Sequence, residues 1–180
     1  MLKIVIPSKE YYDETTSEFF NIKSYSLTLE HSLVSLSKWE AKWHKPFLTK
    51  SGKTVIETID YIRYMTLTQN IPVRVYEGVT RELLNCVTDY IEAPMTATTF
   101  SDRHNKVTNN RIITSEVIYS WMVVLNIPFE CQKWHLNRLL TLINVCNIQN
   151  QPPKKMTKAE MHKRNRELNA ARRAKYNTKG

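Results

Sequence analysis

The sequence predicts a mainly α (α+β) protein: a small N-terminal β-hairpin packed on a body of about five helices, followed by a basic C-terminal helix. Three observations carry that reading. Strand-like alternation is confined to the first thirty positions. Helix-period apolar stripes, punctuated by capping residues and prolines, recur from there to about residue 147. Ten Lys/Arg then gather behind Gln151-Pro152-Pro153. The expected division is a globular body, residues 1–151, and a basic, partly helical tail, residues 152–180.

Leu2–Ile6 is short and β-rich, and residues 19–29 alternate. Tyr25, Leu27 and Leu29 share one face, whereas Phe20 and Ile22 fall in the opposite phase. One sheet face can accept both sets only with a bulge or a break near Lys23. A polar connection through residues 9–18 closes the expected hairpin. In residues 31–43, Leu36, Trp39 and Trp43 recur at i, i+3, i+7, and Pro46 ends that helix. Thr54 and Glu57 form a capping-box pair ahead of Val55, Ile59, Ile62 and Met65, with a stop at Asn70-Ile71-Pro72. Thr80 heads a third helix (Leu83, Leu84, Val87, Tyr90, Ile91) that stops at Pro94, and residues 95–113 read as a long polar loop. Thr114 heads a strongly apolar helix (Val117, Ile118, Trp121, Met122, Leu125). Pro128 suits the first turn of a last body helix reaching about Asn147, with Leu136, Leu139, Leu140, Ile143 and Cys146 inward. In the tail, Thr157 and Glu160 repeat the capping box, Met156 and Met161 are placed as a staple across it, and residues 158–175 favour helix.

Composition excludes several classes. Cys86, Cys131 and Cys146 lack the spacing of a disulfide framework or zinc site, so reduced thiols in the cytosol are expected. Neither a signal peptide nor a membrane-spanning run is visible. Lys50-Ser-Gly-Lys-Thr54 brushes against a phosphate loop, but Phe47 stands where the first glycine belongs, and a turn feeding a capped helix explains the same residues. Cys131 and His135 lie at i, i+4 without further ligands, and a core cysteine beside a hydrogen-bonded histidine is the simpler account. Glu116, Glu130 and His135 have no spacing that demands acid–base chemistry. The chain is therefore expected to be no enzyme and to use no cofactor or metal.

Charge is the informative feature. The 152–180 segment holds ten Lys/Arg against Glu160 and Glu167, +8 of the formal +9, and leaves the body nearly neutral. Such a block binds nucleic acid through phosphates, docks on an acidic or amphipathic protein, or serves as a solvated tail.

Four stretches carry a resemblance: SLSKWEAKWHKP (35–46), APMTATTFS (93–101), the run from Trp121 to Asn147 with NIPFECQKWHLNRLL (126–140), and LNAARRAKYNTKG (168–180). Together they resemble small proteins from the structural and tail gene cluster of long-tailed, siphovirus-like bacteriophages. Within that cluster the chain is similar in size and helical character to a tail assembly chaperone. The resemblance implies a non-enzymatic protein of the host cytoplasm that holds the tape-measure protein during tail morphogenesis. It also implies other phage tail proteins as partners, and in that group a longer frameshifted form is frequent. Exposed members of the Trp39, Trp43, Trp121 and Trp134 set are then expected to contact the client. The tail, with Lys163, Arg164, Arg166, Arg172, Arg173 and Lys175, is expected to recruit a second component. Two further roles stay open: a neck or tail component retained in the virion, and a small nucleic-acid-binding protein acting through its basic tail. Self-association stays open as well, and no membrane partner is expected.

Overall fold

The computed structural model describes residues 1–13, 17–49, 52–100, 112–151 and 157–177. The chain forms two compact units, Met1–Cys146 and Asn147–Gly180.

The first unit opens with four strands: β1 (Leu2–Ile6), β2 (Lys9–Asp13), β3 (Glu18–Ile22) and β4 (Tyr25–Leu29). β1 pairs antiparallel with β4, and β2 with β3. Leu2 faces Leu29, Ile6 faces Tyr25, Lys9 faces Ile22 and Asp13 faces Glu18, so one register runs through both ladders. The four strands are thus one long ribbon interrupted at Pro7-Ser8 and Lys23-Ser24. Pro7 has no N–H to donate to a ladder, which accounts for the interruption. The break expected near Lys23 is present and no bulge is required. The expected polar connection through residues 9–18 is corrected: residues 9–13 and 18 are strand, and residues 14–16 lie outside the described residues. Lys, Glu and Asp at the ends of these strands hid their β character, but Tyr12 and Phe19 face each other across the ladder with ring centroids 4.9 Å apart.

Helix α1 (Leu33–Trp43) starts at Ser32, which forms a capping box with Ser35, and ends at His44 in the left-handed region (φ 51°). Helix α2 (Val55–Met65) begins with the expected Thr54/Glu57 box. It stops well before Asn70-Ile71-Pro72, because the chain there is captured by β4. The Glu30 N–H donates to the Met65 carbonyl (2.9 Å) and the Leu67 N–H to that of Thr28 (2.8 Å). Of the expected inner face, Ile62 and Met65 are buried and Ile59 half-buried, but Val55 is exposed, and Tyr61 is buried in addition. A 3-10 segment, Val73–Gly78, leads to α3 (Arg81–Glu92), where the Thr80 hydroxyl accepts from the Leu83 N–H. Residues 95–100, 112 and 113 are coil; the centre of the expected 95–113 loop lies outside the described residues. Helix α4 (Ser115–Val124) follows, with Thr114 at the cap position but without a side-chain cap bond.

The last body helix differs from expectation. Pro128 leads only a 3-10 segment, Phe129–Lys133, and a separate helix, α5, runs Leu136–Asn150. Between them Trp134 is extended, His135 bridges to Ser32, and the Leu136 N–H donates to the His31 carbonyl (2.7 Å). A continuous helix would forfeit those bonds. Leu27, Leu29, Leu33, Leu36, Ile62, Met65, Ile118, Met122, Leu136 and Leu139 are fully enclosed and form the centre of the core. In the second unit, α6 (Lys158–Tyr176) has the expected Thr157/Glu160 capping box and closes on Asn177 in the left-handed region. The proposed staple partner Met156 and the loop residues Lys50 and Ser51 lie outside the described residues.

Buried Glu40 ties the helices together. One carboxylate oxygen accepts from the Phe47 N–H (2.9 Å), the other from the Ser115 N–H at the start of α4 (2.7 Å). Removing the acceptor strands two buried donors. Glu40→Ala is expected to lower the free energy of unfolding in urea by about 2–4 kcal/mol, and Glu40→Gln, which keeps one good acceptor, by about half that.

Candidate interaction surfaces

Inside the body, buried titratable side chains meet in a polar seam. His31 Nδ1 and the Tyr61 hydroxyl share a hydrogen bond of 2.6 Å. The rings of His31 and His135 lie edge to face at 5.1 Å, and Tyr90 packs on His135 at 4.9 Å. His135 Nε2 lies 3.0 Å from the Tyr90 carbonyl, while its Nδ1 accepts from the Asn137 N–H (3.3 Å), which fixes the proton on Nε2. The Tyr90 hydroxyl donates to Glu30 (2.8 Å). Burial, with the neighbouring His135 second, pushes His31 down to about 3. Burial also lowers His135 and raises Tyr61 and Tyr90. At neutral pH the histidines are uncharged and the tyrosines protonated, each satisfied by a neighbour. That is the chemistry of a hydrogen-bonded core. Cys131 is buried with its thiol raised by desolvation, and among the described residues no group of three or more His, Cys, Asp or Glu could hold a metal ion.

The four tryptophans separate. Trp39 is 1% exposed and donates its indole N–H to the Glu57 carbonyl (2.8 Å). It is a core residue and cannot touch a partner, which corrects its place among the candidate contacts. Trp43 is half-buried and donates to Asp60 (3.0 Å), a carboxylate that also pairs with Lys42. Trp134 is half-buried beneath the Arg138 guanidinium, 4.2 Å from the ring centroid. Trp121, also half-buried, has the most telling neighbours. It sits on α4, whose only polar residues are Ser115, Glu116 and Ser120. A helix apolar nearly all round is normally covered all round. Here the body covers the Ser115/Ile118/Met122 face, while Val117, Trp121 and Val124 form a strip at i, i+4, i+7 beside it, in which Val117 is half-buried, Trp121 packs half-buried against the core and Val124 is 74% exposed. Val123 (60%) and, beyond the helix, Phe129 (52%) add exposed apolar surface; the Phe129 ring is 6.4 Å from that of Tyr119. The Trp121 spacing was visible in the sequence, but which side of α4 the core leaves bare was not.

The second surface is α6. None of its residues is buried, including Lys163, Arg164, Arg166, Arg172, Arg173 and Lys175.

Fold and surfaces define a class: a mainly helical α+β body with an N-terminal β-ribbon and a partly exposed apolar strip on α4, accompanied by a strongly basic helix. No helix among the described residues is long and apolar enough to cross a membrane. Compared with protein-family models, curated proteins and solved structures, the chain matches none.

The histidine seam makes a testable demand on stability. The unfolded chain protonates His31 near its ordinary 6.5 and the folded chain near 3, so between those values the unfolded state binds the extra proton. Stability is therefore level above pH 6.5 and falls as the pH drops below it. Urea unfolding at pH 5 should give about 1–2 kcal/mol less than at pH 7.5, and His31→Gln should be less stable at pH 7.5 but shallower in its pH slope.

Proposed function

We propose that this chain is a non-enzymatic assembly chaperone that holds a long helical client, the tape-measure protein of a long-tailed phage, during tail assembly in the host cytoplasm. The observation that carries the reading is the Val117/Trp121/Val124 strip on α4. Spacing of i, i+4, i+7 is what a helix offers to the apolar stripe of another helix. The strip is half-buried at Val117 and Trp121 and open at Val124, and a client that is itself an apolar-striped helix suits that geometry. The strongly cationic second unit keeps a protein carrying such a face soluble. Trp121 thus remains a client contact, Trp39 does not, and Trp43 and Trp134 are already engaged by Asp60 and Arg138 within the body. Holding requires no reacting group, which suits a body whose titratable residues are internally satisfied.

Co-expression with the tape-measure protein of the same source tests the reading. The wild-type chain should keep that client in the soluble fraction and co-purify with it. Val117→Thr combined with Val124→Lys should fold with stability within about 1 kcal/mol of wild type and lose most of the soluble client. Client held equally by this double variant would exclude α4 as the holding surface.

A further inference from the structure

We propose that α6 is a DNA-binding arm that lies in the major groove of B-form duplex DNA. The inference rests on how charge is distributed around the helix, and it does not depend on what the body holds.

At 3.6 residues per turn, the seven cations of α6 (Lys158, Lys163, Arg164, Arg166, Arg172, Arg173, Lys175) spread over about two-thirds of its circumference. The remaining arc is taken by Glu160 and Glu167, one above the other at i, i+7. Diametrically opposite those acids, Asn165, Asn169 and Tyr176 form a line at i, i+4, i+11. Arg166 and Arg173 flank that line on one side and Arg172 and Lys175 on the other, with Lys163 and Arg164 further round towards the acids. The helix therefore has an acidic back, cationic flanks and a hydrogen-bonding front of Asn165, Asn169 and Tyr176 that Lys158 joins at the N-terminal end.

Each alternative partner needs a different pattern. A membrane-surface helix needs a broad apolar face opposite its cations, and a helix seated in a protein groove needs apolar anchors at i, i+3 or i+4, and i+7. Here Met161 and Leu168 stand seven residues apart with only Arg164 and Asn165 at the intermediate positions, and both are nearly half exposed. A helix in a DNA groove needs what α6 has: phosphates line both walls and meet the flanks, base edges form the floor and meet amide side chains, and the back faces solvent. Size agrees as well. A helix is about 10–12 Å across with side chains, and the B-form major groove is about 12 Å wide, whereas that of A-form RNA is too narrow to enter. Nineteen residues span about 28 Å, some eight base pairs.

The test measures fluorescence anisotropy of the full-length chain with three probes of one sequence: a 20-base-pair DNA duplex, the corresponding RNA duplex and the single DNA strand, each across about 50–200 mM NaCl. The DNA duplex should bind at least about 10-fold tighter than either of the others. Its affinity should fall roughly 100- to 1,000-fold over that salt range, as expected for about five phosphates neutralised. Replacing Arg166, Arg172, Arg173 and Lys175 together with Gln should abolish most of the binding. Because α6 buries nothing, the urea unfolding of the body should be unchanged in that variant. Equal affinity for the three probes, no duplex binding at 50 mM salt, or full affinity in the glutamine variant would each overturn the proposal.

Discussion

The body depends on one short stretch of backbone, residues 28–32, whose hydrogen-bonding groups are claimed by distant parts of the chain. β4 supplies the ladder to β1 through Leu29. The Thr28 carbonyl accepts from Leu67, the Glu30 N–H donates to Met65, and the His31 carbonyl accepts from Leu136. Ser32 then caps α1. Segments about 35 and about 105 residues away are thereby fixed against one turn of chain. Glu30, His31, Met65 and Leu136 are buried, so a bond left unmade there would carry the full desolvation cost of its donor or acceptor. The side chains follow the same logic. Glu30, His31, Ser32 and Ser35 are buried among Tyr61, Tyr90 and His135, and their polar atoms bond to one another rather than to water.

Helix termination reflects the scarcity of glycine. With three glycines in the chain, the left-handed positions among the described residues fall on other residue types, half of them asparagine: Asn70, Asn126 and Asn177, beside Ser17, Met95 and His44 after α1. Asparagine tolerates that region better than other non-glycine residues, and at the end of α6 the Asn177 N–H satisfies the Arg173 carbonyl. Buried carboxylates do comparable work between elements. Glu40 joins α1 to the turn at Phe47 and to α4, and Glu57 caps α2 while pairing with Lys45, an interaction that holds its carboxyl below the usual range.

What was legible in the sequence was local. The capping boxes at Thr54/Glu57 and Thr157/Glu160 and the cap at Thr80 are written in residues three apart, and each is found as read. What was missed is long-range. Nothing near Met65 signals that α2 must stop for β4, and nothing near Trp134 signals that His135 must lie extended against Ser32. Residues 9–13 and 18–22 look polar at their ends, and only their registration across the ribbon makes them strands. The same limit applies to the candidate contacts. The i, i+3, i+7 stripe of α1 identifies an inward face but does not rank depth along it. Trp39 is sealed in the core, yet Trp43 on the same stripe reaches the half-buried rim.

Apolar contact surface and net charge reside in different compact units, and their physics differ accordingly. Helix α4 is anchored in the core through Ile118 and Met122, so a partner meeting its Val117/Trp121/Val124 strip orders little new structure. Helix α6 has the reverse economy. Its capping box, alanines and left-handed cap favour the helix, and Glu160 stands four residues before Arg164 in the favourable orientation. Yet it buries no residue, and its seven cations repel one another along 19 positions. A helix so constituted gains more from a line of negative charge than from any apolar groove. Neutralising the flanks removes the repulsion that opposes the fold, while the acids on the back stay in water. The side chains that oppose the order of α6 are thus the same ones that would meet a polyanion.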